Sequence, residues 1–191
     1  AQDNVSKVYQ DNLGWPFNTL FRYHIFLRIQ ERLVNFDKIV FFNGNCIFNT
    51  KIAYDEFFGK EKSIVAGIHP GFFDKMLSDY TFEKRPASLA YIEGGDLYVA
   101  GGINGGDYSS FIDICKKLSA NIDRDLQAGI VAIWHDESHW NKYIAYYKGD
   151  LRILDSSYCM VENMPQRQLW KLTHLTPKII ALDKIHSEIR S

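Results

Sequence analysis

The sequence is short of the residues that would place it in several large classes. Three cysteines in 191 residues, Cys46, Cys115 and Cys159, are scattered and odd in number. They offer neither a paired metal-ligand spacing nor a disulfide framework, so a reducing compartment is the expected setting. Positive charge is not in excess: 22 Lys and Arg stand against 23 Asp and Glu, a net charge of −1. That argues against bulk nucleic-acid binding. No stretch is long and apolar enough to span a bilayer, and the opening AQDNVSKVYQDN carries no signal-peptide pattern. The expectation is a soluble, cytoplasmic protein, free or peripheral at a membrane. There is no internal repeat, no low-complexity linker and no G-x-G-x-x-G fingerprint. What remains is one domain over residues 1–191, long enough to bury a sizeable core.

Apolar runs alternate with helical patterns. Asn18 is the expected N-cap of a helix over TLFRYHIFLRIQERLV, with Phe26, Ile29 and Leu33 on its apolar face. KIVFF (38–42), SIVAGI (63–68), LYVA (97–100) and 151–154 read as strands, the third broken by Gly101-Gly102. Ser109 or Ser110 starts a helix with Phe111, Ile114, Cys115 and Leu118 on one face. A further helix runs from SHWNKYIAYY, capped by Asp136 or Ser138. This alternation predicts an α/β fold, with the chemistry-bearing residues where strands end.

Three stretches could carry chemistry. In WHDESHWNKY (134–143), His135 and His139 have the His-x-x-x-His spacing of a zinc helix. The residue after the first histidine is Asp136, a shorter base than Glu, and no third ligand is evident. The plainer reading is a helix start with surface histidines. In FFNGNCIF (41–48), Asn-Gly between apolar runs predicts a hairpin turn. An acid-x-acid pair after a buried strand is also where nucleotide-sugar transferases hold a divalent metal, but here both positions, Asn43 and Asn45, are amides, a poor set for a hard cation. In YVAGGINGG (98–106), the glycines either form a plain turn or let a ligand approach the backbone.

HPGFF (69–73), YTFEKRPAS (80–88), YVAGGINGG and WHDESHWNKY follow one another as they do in glycosyltransferase family 6, the family of the blood-group A and B transferases, the α-1,3-galactosyltransferases and their bacterial relatives. The resemblance runs from about Asn12 almost to the C-terminus. Asn43-Gly44-Asn45, where animal members have Asp-x-Asp, resembles the metal-independent bacterial branch, so no cofactor and no metal are expected. This displaces the hairpin reading and weakens the zinc reading. The resemblance implies a single nucleotide-sugar transferase A-type (Rossmann-like) domain, here without the family's first strand-helix unit.

It further implies a retaining α-1,3-hexosyltransferase that moves N-acetylgalactosamine or galactose from a UDP donor to the 3-hydroxyl of a 2′-fucosylated galactoside. By resemblance Glu137 is the catalytic carboxylate, acting as nucleophile or by stabilising a cationic sugar. Arg22, Asn43, Asn45, Ala100, Gly101, Gly102, Asp136 and Lys184 fall on the donor side, with UDP-N-acetylgalactosamine favoured because Ala100-Gly101-Gly102 leaves room for an acetyl group. His69, Thr81 and Trp134 fall on the acceptor side. Without a metal, Arg22, Lys184 and Arg190 are the cations available to the departing UDP. The competing reading is a non-catalytic carbohydrate-binding protein or an inactive transferase relative.

Overall fold

A computed structural model describes residues 5–60, 62–165 and 170–184. It is a mixed α/β structure. Strands β1 (Lys38–Phe42), β3 (Ile64–Ile68), β4 (Val99–Asp107) and β5 (Leu151–Leu154) form a sheet in the order β1-β4-β3-β5, in which only the β3–β5 pair is parallel. Strands β2 (Cys46–Phe48), β6 (Met160–Val161) and β7 (Ile179–Ala181) form a second sheet, β2-β7-β6.

The core divides across β3, whose residues alternate faces. Ile64 and Ala66 join a helix-side cluster with Phe111, Ile114, Leu118 and Trp140. Val65 joins the opposite cluster with Phe57, Ile103, Leu154 and Tyr158. The helix layer contains α2 (Arg22–Arg28), α5 (Tyr108–Gln127) and α6 (Asp136–Tyr146). The apolar stripe expected on α5 is observed: Phe111, Ile114, Cys115 and Leu118 are all buried.

Several boundaries depart from the sequence reading. The N-terminal helical pattern forms three short pieces, α1 (Phe17–Leu20), α2 and α3 (Gln30–Leu33). Pro16 holds the N-cap position of the first. Asn18 is spent elsewhere: its side chain accepts from Leu13 N–H at 2.7 Å and donates to Asn12 at 2.7 Å. Helix α5 begins at Tyr108, directly after Asp107, whose backbone is extended and still paired with Lys38 in the β1–β4 ladder. Helix α6 begins at Asp136, with His135 in the cap position at φ 55 and ψ −125. Ser138 lies inside the helix and accepts from Trp134 N–H at 3.0 Å.

Two further differences bear on function. The Asn43-Gly44-Asn45 segment does turn, with Cys46 N–H donating to Asn43 C=O at 3.0 Å. It makes no hairpin ladder, because β1 and β2 belong to different sheets. The glycines at 101, 102, 105 and 106 do not break a strand; they lie within β4. A Cβ at Gly105 would collide with Ile39 C=O, and one at Gly106 with Ser63 C=O. Glycine is needed there for β4 to pack between β1 and β3.

Candidate active site

The site forms where β4 leaves its regular ladder. Ala66 pairs with Asn104 and Ile68 with Val99, so two steps along β3 match five along β4. The surplus residues form an extended bulge, a device that re-aims backbone groups. Gly101 sits within it. Its N–H donates to Glu137 Oε2 at 2.8 Å, and its C=O accepts from Arg22 Nη1 at 2.6 Å and Asn104 Nδ2 at 2.9 Å. A Cβ on Gly101 would lie 3.0 Å from Glu137 Cβ, so glycine lets the helix approach the strand this closely.

Glu137 stands in the first turn of α6, where the helix dipole favours negative charge. Its other oxygen, Oε1, accepts from the Tyr98 hydroxyl at 3.1 Å. Burial raises its pKa, while the Gly101 N–H, the Tyr98 hydroxyl and the Arg22 charge pull it back. The Tyr98 hydroxyl ends a relay of aligned donors. Trp134 Nε1–H donates to Thr81 at 2.8 Å, and Thr81 to the Tyr98 oxygen at 3.5 Å.

Asp136 is 1% exposed and pairs with Arg22 at 2.7 Å. Burial outweighs that pairing and pushes its carboxyl up to about 6. The Arg22 guanidinium also stacks on Phe41, 4.3 Å from the ring centre, and reaches Asn43 Oδ1 at 3.4 Å. One arginine thereby joins α2, α6, the bulge and the β1–β2 turn.

The loop carrying Trp134 and His135 is held from below. Buried Glu83 takes a bidentate contact from Arg85, at 2.9 and 2.7 Å, and accepts from Ile133 N–H at 2.9 Å. The Arg85 contact pulls the Glu83 carboxyl down to about 2. Arg85 also donates to Val131 C=O at 2.6 Å. The positive φ of His135 is strained backbone held where the chain enters the site.

Two cavities meet at Glu137. The smaller, about 240 Å³, is lined by Arg22, Asn43, Gly101, Gly102, Asp136 and Lys184, as well as Glu137. These are six of the eight donor-side residues expected from sequence. The larger, about 420 Å³, is bordered by Asn43, Asn45, His69, Ala100, Gly102, Lys184 and Glu137. Asn45 bonds a different partner: its Nδ2 donates to Leu182 C=O at 2.5 Å and fastens that segment. The acceptor-side residues are not gathered in one cavity. His69 lines the larger and Trp134 the smaller, while Thr81 lines neither and bonds Trp134.

Burial lowers the His69 pKa to about 4. Gly71 N–H donates to its Nδ1 at 3.0 Å, so the neutral ring carries its proton on Nε2. Trp134 is 45% exposed. Arg190 lies outside the described residues. His139 is not the surface residue expected: it is 1% exposed and lies 3.6 Å from Asp125. Among the described residues no cluster of three His, Cys, Asp or Glu side chains could hold a metal. No helix among them is long and apolar enough to cross a membrane.

Sequence reasoning did not single out Tyr98, Asn104, Asn141 or Glu83. Each lies inside a motif already quoted, but its role depends on contacts that local spacing does not display.

A half-buried carboxylate thus stands where two cavities meet, beside a second carboxylate paired with arginine. The chain belongs to glycosyltransferase family 6, whose family model matches residues 27–191. It is 35% identical over 126 residues to histo-blood group ABO system transferase 1 of Rattus norvegicus, covering 65% of this chain and 35% of that protein. It is 32% identical over 151 residues to the O-antigen biosynthesis glycosyltransferase WbnI of Escherichia coli, covering 76% of this chain and 62% of that one. It is 31% identical over 130 residues to globoside alpha-1,3-N-acetylgalactosaminyltransferase 1 of Gallus gallus, covering 67% and 36%. The chain thus spans about a third of the animal relatives' length and 62% of the bacterial one's.

Proposed function

We propose that this chain is the catalytic part of a retaining α-1,3-hexosyltransferase of the nucleotide-sugar transferase A type. It moves N-acetylgalactosamine, or less efficiently galactose, from a UDP-sugar to the 3-hydroxyl of a galactoside, preferably 2′-fucosylated. The observation that carries this reading is the Glu137 carboxylate, held by Gly101 N–H and the Tyr98 hydroxyl at the junction of two cavities. A carboxylate there can meet positive charge developing on a sugar whose leaving group lies on one side and whose acceptor lies on the other.

In this reading the donor sugar occupies the smaller cavity. Asp136 and Arg22 offer acceptors and donors for its hydroxyls. Gly101 and Gly102 line that cavity without a side chain, and Ala100 borders the larger one beside it, which is consistent with space for an acetyl group at the 2-position. The acceptor lies toward His69 and the exposed Trp134, an aromatic side chain of the kind on which a sugar ring can stack. His69 Nε2–H is a neutral donor suited to an acceptor hydroxyl.

The reaction needs no divalent metal. The support is chemical: Asn43 and Asn45 are neutral, and their contacts run to Arg22 and to Leu182 C=O. Arg22 and Lys184 supply the positive charge that a departing UDP requires. The test is to incubate the protein with UDP-N-acetylgalactosamine and a 2′-fucosylated galactoside and follow UDP release and product. Glycoside product that disappears in Glu137→Gln supports the reading. Sugar binding with no transfer would replace it with the carbohydrate-binding one.

A further inference from the structure

Asn141 is buried, 2% exposed, one helical turn beyond Glu137 on α6. Its side chain spends itself on the backbone. Oδ1 accepts from Val99 N–H at 2.9 Å. Nδ2 donates to Val99 C=O at 2.9 Å and to Glu137 C=O at 3.0 Å. Val99 is the first residue of β4 and pairs with Ile68 just before the bulge. One amide therefore ties the main chain of the proposed catalytic residue to the base of the bulge whose Gly101 N–H holds that residue's carboxylate.

The arrangement closes a loop of contacts: Glu137 carboxylate to Gly101 N–H, Gly101 through Ala100 to Val99, Val99 to Asn141, and Asn141 back to Glu137 C=O. Helix packing alone fixes the separation of α6 and β4 only within the slack of side-chain contacts. A two-pronged amide on a strand residue fixes both height and rotation. Asn suits the task because it offers a donor and an acceptor on one short, planar group. Asp could not donate to Val99 C=O, and Gln would push the helix outward.

We infer that Asn141 is a positioning residue for sugar transfer, setting the Glu137 carboxylate against Gly101. This rests on the transferase reading above. A misplacement of about 1 Å at a reacting centre can cost on the order of a hundredfold in rate, so the loss should fall on kcat. The donor and acceptor cavities receive no side chain from Asn141, so KM should stay within about twofold.

The test compares Asn141→Ala with Ile144→Ala, a core truncation on the same helix that leaves the amide clamp intact. Two quantities are read in each: steady-state kcat and KM with UDP-N-acetylgalactosamine, and the pH-dependent shift of the Gly101 amide proton in NMR spectra. That shift follows titration of Glu137 and vanishes in Glu137→Gln. The expected result is a kcat loss of tenfold or more in Asn141→Ala, with a weakened Gly101 response, both beyond those of Ile144→Ala at comparable loss of Tm. Equal kcat and an equal Gly101 response in the two variants would overturn the inference. If the wild type shows no transfer at all while Asn141→Ala still loses the Gly101 response, the transferase reading fails and the placement of Glu137 by Asn141 stands. An unchanged response in that case overturns both.

Discussion

At the scale of single residues, Glu137 and Asp136 are adjacent carboxylates in different surroundings. Glu137 receives two neutral donors, whereas Asp136 is fully buried and meets an arginine. Glu137→Gln keeps the shape and removes the charge. Transfer should fall by at least about a hundredfold, the scale of losing one central electrostatic contact, while UDP-sugar binding measured by calorimetry persists. Near-normal turnover would remove Glu137 from the role.

Burial raises both carboxyls, Asp136 to about 6, so activity should decline as pH drops through the Asp136 titration while circular dichroism shows an intact fold. The stability sign for Asp136 runs the other way. A carboxyl raised from 3.8 to about 6 contributes stability that is present below about 4 and lost as pH rises through about 6. The stability of the wild type relative to Asp136→Asn should thus fall from pH 4 to pH 7, by on the order of 2 kcal/mol. A flat difference in denaturation midpoints would place the Asp136 pKa elsewhere.

Gly102 tests the donor pocket. A Cβ there would lie 2.7 Å from Asn43 Nδ2, the end of a side chain that can turn. Gly102→Ala should lower overall rate through that displacement and shift the kcat/KM ratio of the two donors toward UDP-galactose. The expected discrimination is worth about 1–3 kcal/mol. An unchanged ratio would show that the acetyl group is not housed beside Gly102.

At the scale of elements, β4 shows what the sequence could and could not disclose. Its glycines read as a break because glycine is a poor strand former, yet they are there so that neighbouring strands and α6 can come close. That demand belongs to partners distant in sequence, Ile39, Ser63 and Glu137. The bulge depends on pairing between β3 and β4 and leaves no local trace. By contrast, α5 was legible from its apolar period, and β3 from its unbroken apolar run, because those signals are local. Asn18 shows the limit of cap reasoning: a residue of the right type was taken by another contact.

The β1–β2 turn makes its own prediction. Asn43 Oδ1 serves Arg22 and Asn45 Nδ2 anchors Leu182, and both side chains are neutral amides, a poor set for a hard cation. Transfer measured in excess EDTA should match transfer without it. Loss on chelation with recovery on manganese would reopen metal-assisted chemistry.

At the scale of the whole molecule, family membership was legible because short motifs fall in a set order along the chain. The site's assembly was not, since Arg22, Asn43, Gly101 and Glu137 come together only through α2, the sheet and α6. The motif histidine misread from sequence is a buried core residue. His139 has its pKa lowered to about 4 by burial, so it supplies stability above pH 6.5 that is lost as pH falls toward 4. His139→Gln should flatten that acid loss in thermal denaturation; an unaltered slope would put the acid sensitivity in other groups.

The most direct measurement of the central claim is the linkage of the product. The chain, UDP-N-acetylgalactosamine and a 2′-fucosylated galactoside are combined in EDTA, and the product is analysed by NMR. The account predicts an α-linked N-acetylgalactosamine on the galactose 3-hydroxyl, formed by the wild type and not by Glu137→Gln. A β-linked product, attachment at another hydroxyl, or equal yield from the variant would contradict it.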